Sequence, residues 1–425
     1  MNKSLFGYAK TTKAIAKSGG WCIYDDNFKE ISSDEFGNKL LPISEFDANE
    51  SCLEIPSPGF PPNHTLSKNA KHLISEYDYF LSGFNDTKSA PKSIWISGTN
   101  GKTTTTQMSE HLLAQNGAVM GGNVGVPLAK LDKNAKLWIL ETSSFTMHYT
   151  KQAKPDIYAL LPITPDHLSW HGSFEEYERA KLKVLEMMSE GSVAIIPAKY
   201  ENYAKSSLAR VYLYSDDSNL AQQFSLDISK INFKTPFLMD ALMALSLQKL
   251  LLGRADYERI NSFKIEENKL EEFSDYKSRL WVNDTKATNI DAAIAAIKRY
   301  KDKQILIILG GDDKGVDLSP VFDELKKCKH APIIYAIGIN TDKILDYAKT
   351  YNINAQPCHY IELAVAAIDK DLNSKEQIAL LSPACASLDQ FSSYAARGAA
   401  FKNAVKALPN LDVSDIHARL YSKSK

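Results

Sequence analysis

Short runs of consecutive apolar residues alternate with segments of helical periodicity along most of the chain. Consecutive apolar residues, rather than strict alternation with polar ones, are typical of parallel strands covered on both faces. Helices between such strands indicate right-handed βαβ units. We expect strands at SLFGY, WCIYDD, KSIWISG, KLWILET, DIYALLPIT, SVAIIPA, RLWVND, QILIILGG, PIIYAIG and QIALLSPA, with a helix at TTKAIAKSG between the first two.

Two polar segments interrupt this pattern. SGFNDTKSAPKS (82–93) contains glycine and proline, and KIEENKLEEFSDYKSR (264–279) is highly charged. A chain of 425 residues is long enough for two or three domains. The sequence therefore predicts an α/β protein of three domains, over residues 1–88, 89–270 and 271–425.

Composition narrows the class of protein. Hydrophobic residues make up 44% and charged residues 24% of the chain, as in packed globular proteins. A net charge of -1 argues against a general nucleic-acid or membrane-surface binder. No apolar run reaches membrane-spanning length and MNKSLFGYAKTT lacks a secretion signal, so we expect a cytoplasmic protein.

The five cysteines are scattered and include no C-x-x-C pair, which fits free thiols in a reducing compartment. They are Cys22, Cys52, Cys328, Cys358 and Cys385.

The segment GTNGKT, Gly98 to Thr103, lies between a predicted strand and a predicted helix that ends near Gly117. The standard phosphate-binding pattern would place its first glycine two residues earlier, at Ile96. Glycines let the backbone wrap around phosphate, and a helix N-terminus offers free N–H groups. Lys102 would then contact the terminal phosphates and Thr103 would ligate Mg²⁺. The alternative is an ordinary turn before a helix.

Polar residues also follow two other predicted strands. Glu141 ends the strand in KLWILET, and His167 follows DIYALLPIT. Functional groups gather at the carboxyl ends of such strands, so both residues are candidate metal ligands. The alternatives are a surface acid at Glu141 and a helix-start or core histidine at His167.

A lysine lies on the apolar face of the helix predicted from Phe174. Spacings of three and four place Lys181 on one face with five apolar or aromatic residues. A lysine there either extends its amine to solvent or is buried and partly neutral. A neutral amine can add CO2 and become a carbamate that ligates metal, and periodicity leaves both possibilities open. The residues on this face are Phe174, Tyr177, Lys181, Val184, Leu185 and Met188.

Six blocks resemble, in order, the Mur ligases of peptidoglycan synthesis, and the first three resemble folylpolyglutamate synthases more loosely. The fourth and sixth resemble in particular the members that join D-glutamate to UDP-N-acetylmuramoyl-L-alanine. The blocks are GTNGKTTT, ETSSF, ITPDHLSWHGSFEEYERAK, VNDTKATN, LGGDDKG and SPACASLDQF.

The resemblance implies a Rossmann-like N-terminal domain for the UDP substrate and a central P-loop ATPase domain with a parallel sheet. It also implies a Rossmann-like C-terminal domain for the amino acid. ATP would phosphorylate the substrate carboxylate, and the amine of D-glutamate would displace phosphate from the acyl phosphate. The expected protein is a cytoplasmic monomer that binds neither nucleic acid nor membrane.

The resemblance also assigns residue roles. The nucleotide residues are Gly98, Thr99, Asn100, Gly101, Lys102, Thr103, Thr104, Asp240, Asp284 and Asp312. The UDP-substrate residues are Lys10, Thr11, Asp25, Ser57, Gly59, Asn123, Gly125, Ser143 and Phe145. The D-glutamate residues are Thr288, Lys314, Ser387, Leu388 and Tyr394. The ligands of two expected Mg²⁺ ions are Thr103, Glu141, His167 and carbamylated Lys181. The catalytic residues are Lys102, His167, Lys181, Lys286 and Lys314.

Without the resemblance, two of these blocks have ordinary structural interpretations. VNDTKATN can be a strand-to-helix turn in which Asn289 caps the helix IDAAIAAIKRY. LGGDDKG can be a tight turn after a buried strand.

The chain also departs from the family. TPFLMDALMAL retains only Asp240 where Mur ligases carry H-N-x-x-N, and NKLEEF has Glu271 and Glu272 where they carry a basic pair near ATP. Ala9 replaces a loop glycine, and Tyr394 replaces a phenylalanine. We therefore expect ATP to bind more weakly or in a different pose.

Two alternatives remain. One is a related amide ligase, either a folylpolyglutamate synthase or a Mur ligase that adds L-lysine or diaminopimelate, which SPACASLDQF disfavours. The other is a nucleotide switch or binding protein, which would need the glycine loop but not Lys181 or the last three blocks.

Overall fold

The computed structural model describes residues 1–83 and 91–410, which fall into two compact units, Met1–Phe263 and Lys264–Lys425. The first unit contains two sheets and the second contains one. The predicted boundary between residues 88 and 89 lies outside the described residues. The division between the units falls at the start of the charged segment 264–279.

The first sheet has a mainly parallel core with an antiparallel hairpin at one edge. Its strands are β1 (Asn2–Phe6), β2 (Trp21–Tyr24), β3 (Ser32–Ser33), β4 (Lys39–Leu41) and β5 (Ser51–Pro56). Its helices are α1 (Lys10–Ala16), α2 (Thr65–Asn69) and α3 (Glu76–Leu81). The strand order is β3-β4-β2-β1-β5, and only the β3–β4 pair is antiparallel.

The central sheet is parallel throughout, in the order β11-β10-β9-β6-β8-β7. Its strands are β6 (Lys92–Ser97), β7 (Ala118–Gly122), β8 (Leu137–Glu141), β9 (Ile157–Leu160), β10 (Val193–Pro197) and β11 (Arg210–Tyr214). Its helices are α4 (Lys102–Leu113), α5 (Ser144–Tyr149), α6 (Leu168–His171), α7 (Phe174–Met187), α8 (Glu201–Ala204), α9 (Asp217–Gln223), α10 (Phe237–Leu252) and α11 (Tyr257–Asn261).

The sheet of the second unit is parallel except for one edge strand, in the order β12-β13-β17-β14-β15-β16. Its strands are β12 (Glu271–Ser274), β13 (Leu280–Asn283), β14 (Gln304–Gly310), β15 (Ile333–Ile337), β16 (Asn354–His359) and β17 (Gln377–Leu381). Its helices are α12 (Ile290–Tyr300), α13 (Ser319–Leu325), α14 (Thr341–Tyr351), α15 (Ile361–Asp371) and α16 (Tyr394–Ala407).

All ten predicted strands correspond to observed ones, and the α/β class is confirmed. Gly117 follows α4 and its terminal 3₁₀ turn with φ 85°, as predicted for a helix stop. The sequence analysis missed seven strands because they are short, polar or at sheet edges. These are β3, β4, β5, β7, β11, β12 and β16.

One apolar core joins the two sheets of the first unit. It includes Leu5 and Ile23 from the first sheet and Trp95 and Leu140 from the central sheet. Tyr77 of α3 belongs to the same core, and its ring meets Trp95 edge-on at 4.8 Å between centroids. Among residues 1–83 and 91–410, no helix combines the length and apolarity needed to cross a bilayer.

The end of β14 provides a test of the fold of the second unit. Gly310 has φ 124°, and a Cβ there would lie 1.9 Å from the Ile337 carbonyl oxygen. Gly310→Ala should lower the free energy of unfolding by about 3 kcal/mol or more, because both backbone and packing must shift. Gly315→Ala is the control: φ is 76° but nothing lies within 4 Å, so about 1–2 kcal/mol is expected. Urea unfolding of both variants measures the difference, and equal losses would contradict it.

Candidate active site

The glycine loop leads directly from β6 into α4. Gly98 has φ 140°, and a Cβ there would approach the Leu161 Cβ to 2.6 Å, so a side chain cannot be accommodated. Gly101 has φ 81° and precedes the first residue of α4, Lys102. The Lys102 ammonium donates a hydrogen bond to the Thr99 carbonyl oxygen at 2.7 Å. The loop therefore has the strand–loop–helix setting that a phosphate site requires.

Ile96 lies inside β6, fully buried, and this accounts for the missing glycine at that position. It pairs in register with Glu141 at the end of β8. The pairing of β6 with β8 therefore places Glu141 beside the start of the glycine loop. The loop begins at Gly98, two residues later than in the standard phosphate-binding pattern.

Glu141 is a buried acid, 3% exposed. Its Oε1 accepts a hydrogen bond from the Asn123 amide at 2.6 Å, while Oε2 is buried with no hydrogen-bond partner. A buried carboxylate oxygen without a partner carries a large desolvation penalty unless a cation compensates it. The surface-acid alternative is therefore wrong, and the carboxylate suits a metal ion.

Lys181 is 1% exposed, so its amine does not reach solvent and the first alternative for this residue is wrong. The amine donates to the Gly98 carbonyl oxygen at 3.0 Å and to Ser97 Oγ at 3.3 Å. The ring of Tyr177 lies 4.8 Å from the amine. Burial, reinforced by the positive charge of Lys102, holds the pKa of Lys181 well below its usual range. A neutral amine is favoured there.

His167 lies at the start of a helix, as one of the predicted alternatives for this residue stated. It occupies the N-cap position of α6 with φ 53°, and its side chain is 41% exposed. Its Nε2 lies 3.6 Å from Asp166, and its ring meets Phe145 edge-on at 4.7 Å. The imidazole is therefore held at the surface of the site rather than in the core.

In the described part of the chain, no cluster of three or more His, Cys, Asp or Glu side chains is arranged to hold a metal. The predicted metal ligands also include Thr103 and a modified Lys181, which such a cluster would not count. A carboxylate added to Lys181 would supply a further oxygen ligand besides Glu141 and Thr103.

The UDP-substrate candidates lie at the carboxyl end of the first sheet and on two loops of the central sheet. The Lys10 ammonium donates to the Gly125 carbonyl oxygen at 2.8 Å, which links α1 to the loop after β7. Ser57 follows β5 and donates through its N–H to the Phe6 carbonyl oxygen at 2.8 Å. Thr11 is half-buried in α1.

Asp25 follows β2 and accepts a hydrogen bond from the Tyr8 N–H at 2.6 Å. Burial tends to raise the pKa of Asp25, but hydrogen bonds from Asn27 and Tyr8 outweigh it and lower that pKa. The carboxylate is therefore kept ionised.

A group of aromatic residues around Phe145 was not predicted. Trp170 lies 4.6 Å from Phe145 between ring centroids, and its indole N–H donates to the Gly59 carbonyl oxygen at 3.1 Å. His171 Nε2 lies 3.0 Å from Ser144 Oγ, and burial lowers the pKa of His171 to about 4. The aromatic residues of the segment LSWHGSF are the feature of the sequence that could have predicted this group. Ser143 itself caps α5 through the Thr146 N–H at 3.1 Å.

In the second unit, Asp284 is buried at the end of β13. It accepts hydrogen bonds from Ser382 Oγ at 2.8 Å and the Leu270 N–H at 3.2 Å. Burial raises the pKa of Asp284 to about 7. The neighbouring Lys286 ammonium lies 5.7 Å from the centroid of the Tyr394 ring. This brings together a predicted reaction-centre lysine and a predicted D-glutamate residue.

Two sequence blocks pair with each other in the second unit. Asp312 and Ala386 form an antiparallel bridge with reciprocal hydrogen bonds of 3.0 and 2.9 Å. The bridge joins LGGDDKG to SPACASLDQF. Ser387 beside it is 3% exposed, whereas Leu388 is 71% exposed. Lys314 has φ 52° in the adjoining turn.

Arg397 was not predicted, although it holds these blocks together. Its guanidinium, 1% exposed, donates to Thr285 Oγ1 and to the Thr285 carbonyl oxygen, both at 3.0 Å. It also donates to the carbonyl oxygens of Cys385 at 3.1 Å and Ala386 at 3.3 Å. VNDTKATN and SPACASLDQF are therefore fixed by one buried side chain.

Several residues singled out in the sequence analysis have structural partners within the second unit. Asn289 caps α12 by accepting from the Ala292 N–H at 3.0 Å, which confirms the capping interpretation. Glu271 accepts from Lys402 at 2.9 Å, and Glu272 accepts from the Tyr300 hydroxyl at 2.7 Å. Thr288 donates through its N–H to the Lys286 carbonyl oxygen at 2.8 Å.

Asp240 of α10 lies against the glycine loop. Its Oδ1 accepts a hydrogen bond from Thr105 Oγ1 at 3.0 Å. The same oxygen lies 2.3 Å from the position that a Cβ on Gly101 would occupy, so Asp240 packs closely against the loop. The departure from the family's asparagine therefore places a carboxylate beside the nucleotide candidates.

Residues 96–256 match the Mur ligase middle domain. A UDP-N-acetylmuramoylalanine–D-glutamate ligase of Campylobacter jejuni is 58% identical over 413 residues, which cover 96% of this chain and 100% of the relative. The chain belongs to this ligase family. The ligase of the same name from Helicobacter pylori strain HPAG1 is 44% identical, covering 95% and 99% of the two chains.

The MurF ligase of Thermotoga maritima, solved in complex with ADP, shares the fold of the ligase family. It superposes with a TM-score of 0.57 at 14% identity and covers 85% of this chain and 89% of its own. At 14% identity, this structural similarity establishes only that the two proteins share a fold.

The raised pKa of Asp284 predicts a pH-dependent stability. The folded state holds this proton up to about pH 7, whereas an unfolded aspartate releases it near pH 4, so stability falls between these values. From pH 5 to pH 8 the free energy of unfolding should fall by about 3 kcal/mol from this group.

Urea unfolding of the full chain at both pH values measures this fall. Asp284→Asn should reduce the pH dependence, and Asp302→Asn, at an exposed acid of the same unit, should leave it as in the wild type. An unchanged pH dependence in Asp284→Asn would refute the assignment.

Proposed function

We propose that the protein uses ATP to join D-glutamate to UDP-N-acetylmuramoyl-L-alanine through an amide bond, in peptidoglycan precursor synthesis. The observation that carries the proposal is a buried amine, Lys181, hydrogen-bonded at 3.0 Å to the first residue of a GTNGKT loop. A phosphate loop alone fits many nucleotide proteins. The buried amine of Lys181 and the unpartnered carboxylate oxygen of Glu141 are, in addition, what an enzyme that transfers phosphate to a substrate carboxylate would need. The 58% identical relative named for this reaction supports the substrates.

The first step transfers the γ-phosphoryl group of ATP to the terminal carboxylate of the UDP substrate. An oxygen of that carboxylate attacks the γ-phosphorus, the bond to the ADP oxygen breaks, and an acyl phosphate forms. Lys102 and the N–H groups at the start of α4 would hold the phosphates and offset the charge that moves to ADP.

The second step forms the amide. The neutral amine of D-glutamate attacks the acyl carbon, a tetrahedral intermediate forms, and phosphate leaves with the bonding electrons while the amine loses a proton. Lys286 and Lys314 would stabilise the negative charge on this intermediate and on the amino-acid carboxylates.

Magnesium fits the site because the buried Oε2 of Glu141 has no protein partner. Thr103, Glu141 and His167 would hold the ions, of which we propose two. Bound Mg²⁺ would neutralise phosphate charge. Lys181, with its lowered pKa, would add CO2 and release a proton, giving a carbamate that serves as a further oxygen ligand.

The D-glutamate pocket is proposed at the carboxyl end of the sheet in the second unit. Cationic and hydroxyl side chains suit a dicarboxylate amino acid. The proposed residues are Thr288, Lys314, Ser387, Leu388 and Tyr394. We further propose a monomeric, cytoplasmic enzyme with an altered ATP pose beside Asp240.

An amino-acid panel tests the substrate proposal. Phosphate release is measured with UDP-N-acetylmuramoyl-L-alanine and Mg-ATP, in the presence of D-glutamate, L-glutamate, L-lysine or diaminopimelate. D-glutamate should stimulate release at least about tenfold over the others, because unpaired buried polar groups penalise the wrong ligand. Stimulation by another amino acid but not by D-glutamate would reassign the enzyme within the superfamily.

Lys181→Ala tests the role of the buried amine. Activity should fall by about a hundredfold or more, since the carbamate that would hold Mg²⁺ near the phosphates is lost, and acetate or formate should restore part of it by replacing that carboxylate. Lys183→Ala is the matched control. Lys183 lies on the same helix with its pKa lowered to about 8, but its amine binds the His148 and Thr150 carbonyl oxygens. Its variant should not respond to carboxylates. Unchanged binding of nucleotide and an unchanged response to it in Lys181→Ala, with no amide formation by the wild type, would favour the nucleotide switch.

A further inference from the structure

The segment Ser75–Asp78, at the start of α3, is buried but contains none of the predicted site residues. Its four side chains are between 0% and 4% exposed. Ser75, Glu76 and Asp78 have polar side chains, and the hydroxyl of Tyr77 also forms a hydrogen bond. Buried polar groups are retained where they have specific partners, so their partners indicate what the segment does.

Glu76 holds the loop after β7. Its Oε1 accepts a hydrogen bond from the Leu128 N–H at 2.9 Å, and the Leu128 side chain is fully buried. The same loop carries Asn123 and Gly125, the proposed contacts of the muramoyl group. Burial raises the pKa of Glu76 to about 7, as expected for a carboxyl removed from water.

Tyr77 holds the end of β8. Its hydroxyl donates to the Glu141 carbonyl oxygen at 3.2 Å and lies 3.2 Å from Thr142 Oγ1. It also lies 2.8 Å from where a Cβ on Gly122 would stand, so only glycine fits there. The hydroxyl therefore contacts the backbone of the proposed metal ligand.

Asp78 holds the chain that follows α5. Its carboxylate accepts from the N–H groups of Lys151 at 2.9 Å and of Gln152 and Ala153 at 2.7 Å. Thr150 Oγ1 also donates to Ser75 Oγ at 2.9 Å. Because α5 is a short helix with Ser143 as its N-cap and Phe145 in its first turn, anchoring its far end helps to fix their position.

Four consecutive residues thus contact three separate places in the central domain: the loop after β7, the end of β8 and the loop after α5. The first two carry proposed contacts of the UDP substrate or metal, and the third anchors the helix that follows Ser143. We propose that Ser75–Asp78 is the alignment segment of the UDP-substrate site, with Glu76 as the positioning residue for the Asn123–Gly125 loop. This inference rests on the proposed function for the identity of the ligand. The segment touches no substrate itself; it fixes the spacing between loops that do.

The variants Glu76→Leu and Glu76→Gln distinguish a role in positioning the Asn123–Gly125 loop from a general contribution to protein stability. Leucine removes the acceptor for the Leu128 N–H, whereas glutamine keeps one accepting oxygen. Glu76→Leu should raise KM for UDP-N-acetylmuramoyl-L-alanine about tenfold or more, the expected effect of leaving a buried donor unpaired. KM for D-glutamate should stay within about twofold, because the proposed pocket lies in the second unit, whereas the described Glu76 hydrogen bond lies within the first. Glu76→Gln should restore KM for the UDP substrate to within about threefold of the wild type.

An unchanged KM for the UDP substrate in Glu76→Leu would overturn the proposal. So would an equal rise in both KM values, which indicates general destabilisation, or a glutamine variant as impaired as the leucine variant. If Glu76→Leu does not fold, Tyr77→Phe decides: losing one hydroxyl should raise KM for the UDP substrate about threefold to tenfold, and no change would overturn the proposal.

Calorimetric binding of UDP-N-acetylmuramoyl-L-alanine to the wild type and both Glu76 variants, without ATP or amino acid, keeps the two proposals separate. Weaker binding only in Glu76→Leu supports the alignment segment even if D-glutamate is not the amino acid used. Wild-type binding with no turnover of D-glutamate would count against the proposed function alone. Equal affinity in all three proteins would overturn the alignment role.

Discussion

The first unit is organised around one amine that is kept out of water. Lys181 lies beneath the glycine loop, where a charged ammonium is unfavourable and a neutral amine can donate to Gly98 and Ser97. This arrangement requires glycine at position 98, where a side chain would not fit, and the aromatic ring of Tyr177 beside the amine. It also requires the orientation of α7 that directs Lys181 at the loop, since side chains one residue apart on a helix differ in direction by about 100°.

Buried polar groups, together with apolar packing, fix several loops around the sheets. In the first unit, the carboxylates of Glu76 and Asp78 accept from backbone N–H groups. In the second, the guanidinium of Arg397 donates to backbone carbonyl oxygens. Each such group would be costly without its partners, so these loops are specified more strictly than loops held by apolar contacts alone.

The apolar pattern predicted the strands that are covered on both faces, because such burial leaves a local signature in the sequence. It also placed Lys181 correctly on the inner face of α7. Short and polar edge strands such as β3 and β16 leave no comparable signature. The contacts of Glu76 and Arg397 join residues 52 and 112 positions apart, respectively. Only the folded chain brings these pairs together, and one sequence shows no signal for them. At Asn289, the sequence offered a helix cap, and the cap is present.

The clamp made by Arg397 has a consequence for how the amino-acid preference of such an enzyme can be redesigned. Because one guanidinium ties Thr285 to Cys385 and Ala386, neither loop can be remodelled without displacing the other. Insertions or loop exchanges there should therefore disrupt both. The side chains of Leu388 and Tyr394 are 71% and 38% exposed. Libraries confined to these two positions would vary the proposed D-glutamate pocket while leaving the backbone held by Arg397 intact.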